Sequence, residues 1–133
     1  MRGRAFLDTN ILLYAFAEND RRVGVAERIV NEGGAISVQV LNETANILHR
    51  KFGFRWERIR EILDTVESTC PKPLPLTVKT HILGIEIASR FKLNIYDALI
   101  VSSALEAGSP VLYTEDLQHG QVIEGLRIVN PFV

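Results

Sequence analysis

The stretch Arg4-Ala5-Phe6-Leu7-Asp8-Thr9-Asn10 constrains this chain more than any other. An apolar run rises to a carboxylate, passes a hydroxyl and an amide, and continues into Ile11-Leu12-Leu13-Tyr14, which reads as helix. A short strand that turns at once into a helix belongs in a parallel α/β sheet, because parallel strands need crossover connections. The carboxyl ends of such strands form the edge where open α/β sheets bind ligands, so Asp8 is predicted to stand on a functional edge.

The rest of the chain repeats the alternation. Ile11 to Ala17 reads as a short helix, and Arg22 to Glu32 as a second, with Val23, Ala26, Ile29 and Val30 on one face and Gly33-Gly34 as its stop. Ala35-Ile36-Ser37 reads as a short strand. A helix follows from about Ser37 through Lys51, with Leu41, Ala45, Leu48 and Phe52 about a turn apart. Arg55 to about Thr69 repeats that period with Trp56, Ile59, Ile62, Leu63 and Val66, so Trp56 is expected in the core or at a contact between copies. Three prolines at alternate positions from Pro71 to Pro75 exclude helix and leave a connector with a short edge strand.

Thr77 to Phe91 is the next predicted helix, with Val78, Ile82, Ile85 and Ala88 inward. Asn94 caps a helix from Ile95 to Ala107 whose uncharged middle predicts burial on most sides. Pro110 to Thr114 is a buried strand, Glu115 to Gly120 a loop or short helix, and Leu126 to Asn130 the last strand. The expectation is one domain over residues 1–133: a three-layer α/β/α sandwich around a short, mainly parallel sheet of four or five strands.

Four carboxylates fall at comparable junctions: Asp8, Glu43, Asp97 and Asp116. Each has an ordinary structural explanation. Asp8 and Asp116 fit helix starts, Glu43 fits a solvated helix face, and Asn94-x-x-Asp97 resembles a capping box. Their arrangement carries the functional reading, since in a parallel sheet all four junctions can open toward one edge. Acids so close cannot all stay ionised uncompensated, and a hard cation with oxygen ligands supplies the compensation. The three histidines and single cysteine have no zinc-site spacing, so Mg²⁺ or Mn²⁺, as one or two ions, is the expected cofactor. Such ions activate water and clamp a phosphodiester, and no protein nucleophile is needed.

Net charge is −1, yet setting those four of the sixteen acids aside leaves twelve against fifteen Lys and Arg. His49 to Arg60 concentrates the excess, with five fixed positive charges, one negative charge and three aromatics. It fits either a solvated helix end and helix start or a nucleic-acid-contacting patch. A lone cysteine, no apolar leader and no apolar stretch near the ~18 residues of a membrane span point to a soluble, cytoplasmic protein.

Leu7-Asp8-Thr9-Asn10, Asn42-Glu43, Tyr96-Asp97-Ala98-Leu99-Ile100 and Thr114-Glu115-Asp116-Leu117, in this order and spacing, resemble the acidic signatures of PIN-domain ribonucleases. The chain is most similar to the small VapC-type toxins of bacterial toxin-antitoxin modules. The resemblance implies a Mg²⁺- or Mn²⁺-dependent endoribonuclease that hydrolyses RNA phosphodiester bonds. Asp8, Glu43 and Asp97 would be its central metal-binding acids and Asp116 the fourth, with Glu115 as an alternative to Asp116. Thr9 and Thr114 would orient acids or waters. A homodimer and a cognate antitoxin partner are implied as well. Some family members carry a further acid where this chain has His119, which reads here as an exposed loop residue.

Two other classes compete. One is a PIN-like module that binds RNA or protein without cutting. The other is a phosphoryl-transfer receiver or phosphatase with Asp8 phosphorylated; Asn10 stands where its second acid belongs, and no lysine follows Tyr113, which ranks it last.

Overall fold

The computed structural model describes residues 4–133; Met1 to Gly3, included in the expected domain, lie outside the described residues. β1 (Phe6–Leu7) is only two residues long because Asp8 immediately caps α1 (Thr9–Phe16). α2 (Val23–Glu32) buries Ala26, Ile29 and Val30 and ends at Gly33. Ser37 caps α3 (Val38–Arg50), accepting the Val40 N–H on its side chain. α4 (Trp56–Thr69) buries Ile59, Ile62 and Val66. α5 (Val78–Phe91) begins with a capping box of Thr77 and Thr80, and Asn94 caps α6 (Ile95–Glu106). β2 (Val111–Tyr113), β3 (Val122–Ile123) and β4 (Leu126–Val129) complete the chain.

The sheet has the order β1-β2-β4-β3. β1 pairs with β2, and β2 with β4, in parallel, whereas β3 pairs antiparallel with β4. The predicted strand at Ala35–Ser37 and the predicted edge strand near Leu74 occur as parallel bridges, Phe6 with Ala35 and Ser37 with Leu74. From β1 the chain therefore returns to one side of that strand at Ala35 and to the other at β2. β1 is the point where strand order reverses, and the carboxyl end of a strand at such a point is where α/β sheets hold ligands.

Helices pack in two groups, α1 with α2 and α3, which share α4, and α5 with α6. Phe6, Leu7, Leu112 and Ile128 are fully buried between strands and helices. Each such side chain contributes on the order of 1.5–3 kcal/mol of apolar burial. Among the described residues no helix is long and apolar enough to cross a membrane.

Three expectations need correction. Val78, Ile82 and Ile85 of α5 face solvent, at 74%, 62% and 51% exposure, while Thr80, Gly84 and Ile87 face inward. The helix carries two apolar stripes, and the one holding Gly84 lets α6 approach: a Cβ there would stand 2.8 Å from Leu99 Cδ2. Of the two places expected for Trp56 the core is excluded: it is 57% exposed, because it occupies the first position of α4 and lies flat against the His49 ring instead of under a neighbouring helix. The β3–β4 hairpin was not expected at all. Its turn, Glu124-Gly125, has positive φ at both residues, the twist that joins two antiparallel strands through a two-residue loop.

Gly34 marks the closest approach to β1. A Cβ there would lie 2.9 Å from the Ala5 carbonyl oxygen and 2.9 Å from Leu7 Cγ, and the first of these is backbone that cannot step aside. Gly34→Ala should therefore destabilise the protein by about 1–3 kcal/mol in denaturant unfolding. Gly24→Ala in α2, where a Cβ meets nothing within 4 Å, should be neutral or stabilising by up to about 1 kcal/mol.

Candidate active site

Asp8 is both the cap of α1 and the most buried of the four acids, at 4% exposure. Its Oδ1 accepts the Thr9 N–H at 2.7 Å, and its Oδ2 accepts the Thr114 hydroxyl at 2.8 Å. The parallel pairing of β1 with β2 brings Thr114 there, since the Asp8 N–H donates to the Tyr113 carbonyl one residue earlier. Thr114 then accepts the Asp116 N–H at 3.1 Å and the Asn10 amide at 3.4 Å. One buried hydroxyl thus ties the ends of two strands and the following loop together.

The other acids are held in the same manner. Glu43, half-buried on α3, accepts the Thr9 hydroxyl at 3.0 Å. Asp116 accepts the Asn10 amide at 3.0 Å. Asn94 accepts the Asp97 N–H at 2.9 Å and returns its own amide to Asp97 Oδ2 at 2.8 Å, which points that carboxylate from the first turn of α6. Thr9 and Thr114 thus each donate a hydroxyl to one of the acids.

Burial pushes Asp8 up to about 7, against the lowering effect of its two hydrogen bonds, with the charges of Asp116 and Glu43 adding to the rise. Glu43 is also raised, by burial first and then by the charges of Asp97 and Asp116. Asp97 is raised by burial and by Asp116. Asp8, Glu43 and Asp97 are thus each raised in part by neighbouring acids, with the charge of Asp116 acting on all three.

Glu115 is not part of it. Its carboxylate turns away to accept the Tyr14 hydroxyl at 2.7 Å and to face Arg22 at 3.5 Å. His119 is exposed, as expected, and its Nδ1 accepts the Asn130 N–H at 2.9 Å, which ties the loop to the end of β4. Asn10, given no role of its own in the Leu7-Asp8-Thr9-Asn10 signature, acquires one in the structure. Its amide bridges Asp116 and Thr114, and its Oδ1 is buried with no partner. Its place two residues after Asp8, on the first turn of α1, was the available signal.

The cluster suits a hard divalent cation. Its donors are all oxygen, none of the four acids has an ion-pair partner among the described residues, and the buried Asn10 Oδ1 is an acceptor that a held water would satisfy. Among the described residues no three His, Cys, Asp or Glu side chains already close on an ion.

The match to the PIN domain family model runs over residues 5–124. No curated protein matches the sequence. Similar solved structures include a toxin-antitoxin complex from Klebsiella pneumoniae, with a TM-score of 0.72 and 24% identity over 96% of this chain and 97% of that one. VapBC2 from Rickettsia felis, bound to a DNA fragment from its promoter, gives a TM-score of 0.68 and 21% identity over 93% and 96%. VapC20 from Mycobacterium tuberculosis, a sarcin-ricin loop cleaving toxin, gives 0.66 and 20% over 84% and 89%. At these identities the structures establish the fold.

A prediction follows from the burial of Asp8. This carboxyl ionises near 3.8 when unfolded and near 7 when folded, so the folded state holds the extra proton between those values. Its stabilising contribution is complete below about pH 4 and is lost as pH rises to about 7, by up to about 4 kcal/mol. In chelator, the stability of the wild type relative to Asp8→Asn should fall across that window. A constant difference from pH 4 to pH 8, measured by denaturant unfolding, would contradict the burial.

Proposed function

This chain belongs to the PIN domain family, and on that premise we propose that it is a VapC-type toxin: an endoribonuclease that hydrolyses RNA phosphodiester bonds with Mg²⁺ or Mn²⁺ and is restrained by a cognate antitoxin. One observation carries the reading. Asp8, Glu43, Asp97 and Asp116 converge at the carboxyl edge of the sheet, beside the strand where its order reverses, with no cation among the described residues to neutralise them. The similar structures, a toxin-antitoxin complex, VapBC2 and a sarcin-ricin loop cleaving toxin, support the same reading.

Asp8, Glu43, Asp97 and Asp116 are the residues that would hold the ion or ions. When bound, such an ion supplies positive charge against the scissile phosphate and lowers the pKa of water toward neutrality. The protein's own part is positioning. Thr9 and Thr114 hold Glu43 and Asp8, Asn94 holds Asp97, and Asn10 holds Asp116, so the acids do not have to reorganise as charge develops. Burial keeps Asp8 from ionising cheaply without a cation, which couples its charged state to metal loading.

Purified protein should cleave RNA in Mn²⁺ or Mg²⁺ and stop in chelator. Asp8→Asn and Asp97→Asn should each lower the rate by roughly 100-fold or more with far-UV circular dichroism unchanged. Undiminished cleavage by the double variant would refute the site. A module that binds RNA without cutting would instead show no acid-dependent Mn²⁺ affinity.

The exposed stripe of α5 supports the homodimer. Val78, Ile82 and Ile85 lie at i, i+4 and i+7, flanked on one side by Lys79 and Glu86. Two such helices packed antiparallel about a two-fold axis near Ile82 would set each Lys79 opposite the other copy's Glu86. Ile82→Asp should convert a dimer to a monomer in light scattering while leaving the circular dichroism spectrum intact. Unchanged dimer mass would exclude this face.

A further inference from the structure

The basic and aromatic stretch from His49 to Arg60 has no part in the acid cluster, yet its shape is specific. The Trp56 indole stacks on the His49 ring, with centroids 4.0 Å apart and planes 18° from parallel. His49 is itself fixed, since its Nδ1 lies 3.1 Å from the Phe54 carbonyl oxygen and donates to it. One face of the indole is thus covered and the residue remains 57% exposed. Burial does not explain a large aromatic held flat at the surface.

Its surroundings are cationic. Arg50, Lys51, Arg55, Arg58 and Arg60 are all exposed. Arg55 and Arg58 face Glu57 and Glu61 at 3.5 Å and 3.9 Å, in exposed pairs that neutralise little. Arg50 and Arg60 make no ion pair among the described residues.

Arg50, next to His49 at the end of α3, is the part of this patch that shares a helix face with one of the acids. Arg50 follows Glu43 by seven residues, which places both on one face of the helix, two turns and about 10 Å apart. Two clefts run along that face. One, of about 390 Å³, is bordered by Glu43, Asn46 and Tyr96. The other, of about 460 Å³, is bordered by Asn10, Asn46, Arg50 and Lys51 and by the acids Glu18 and Glu115, which pair with Lys51 and Arg22, so Arg50 is the cation there with no ion pair among the described residues. Asn46 borders both, so the two clefts adjoin on the face of α3 between Glu43 and Arg50.

We propose that the His49–Trp56 stack is a base platform for a single-stranded segment of RNA, and that Arg50 contacts the phosphate of the strand as it runs along α3 toward the acids. The proposal rests on the reading of RNA as substrate given above. An open indole face takes any unpaired base, and cations beside it hold the backbone without reading sequence. The acids repel phosphate until a cation neutralises them, so attraction must come from the other end of the groove, where Arg50 stands without an ion pair among the described residues, while Lys51 is paired with Glu18.

Trp56 is the only tryptophan, so its fluorescence reports on this site alone. The full chain in chelator, where no cleavage occurs, is titrated with a twelve-nucleotide oligoadenylate, an abasic oligonucleotide of equal length and a duplex RNA. The oligoadenylate should quench the indole and the other two should not. Trp56→Ala should weaken binding of a labelled oligoadenylate by roughly ten-fold or more, with Trp56→Phe restoring most of it. Arg50→Ala should lower the slope of log affinity against log salt by about 0.7.

Equal quenching by the abasic strand, or equal binding by Trp56→Ala, overturns the proposal. So does a Trp56→Ala chain that binds RNA normally but loses its antitoxin, because the patch is then a protein surface. Quenching by oligoadenylate in a chain that never cuts RNA leaves the platform standing and removes the nuclease reading. Acid-dependent cleavage without any Trp56 dependence does the reverse.

Discussion

A carboxylate buried at the end of a two-residue strand is the constraint to which the rest of this structure answers. Asp8 is almost wholly removed from solvent, and no cation among the described residues stands beside it. Left unpaired, such a group costs several kcal/mol or gives up its charge. The fold meets this with the Thr114 hydroxyl and the Thr9 N–H, one from the next strand of the sheet and one from the helix that Asp8 itself caps. Parallel pairing of β1 with β2 is therefore also the device that completes the site. β1 lies fully within the core and β2 buries Leu112 there, so slippage of their register would expose apolar side chains and remove the hydroxyl from Asp8 at once.

Helix capping and metal-site architecture are often posed as rival explanations for an acid at a helix start. Here the same atoms serve both. Asp8 caps α1 through Oδ1 and receives Thr114 through Oδ2, while Asn94 caps α6 and in doing so fixes Asp97. A cap restrains the backbone and the side chain together, which is what a preorganised site requires. Building the acids into helix starts gives rigidity that a surface loop lacks. Asp116, the one acid on a loop, has the Thr114 hydroxyl behind its N–H and the Asn10 amide on its carboxylate.

The helices, the parallel strands and the four acids were legible in the sequence because each follows a local rule of period, cap or strand end. What failed was the assignment of faces. Periodicity finds an apolar stripe, but α5 has two, and the choice between them is made by Gly84 meeting Leu99 across a helix contact that no local pattern describes. Trp56 failed in the same way, since a residue on the stripe at the first turn need not reach the core. The β3–β4 hairpin was illegible because two residues cannot display alternation, and Glu124 gives no warning that its φ is positive. Asn10 was given no role of its own because an amide announces no charge, although it is the group through which Asp116 is held.

The mean charge of the chain was the least informative number, and α3 shows why. Glu43 belongs to the acid cluster, and seven residues later Arg50 carries the opposite sign on the same helical face. Exposed charges farther apart than the Debye length, about 8–10 Å at ordinary salt, act nearly independently. The two ends of this groove lie about one such length apart, so salt weakens the interaction between them although their charges cancel in any sum. Polyanion binding requires a local excess of cations with a path to the chemistry, and one helix whose face changes sign along two turns supplies that path within a protein of net charge −1.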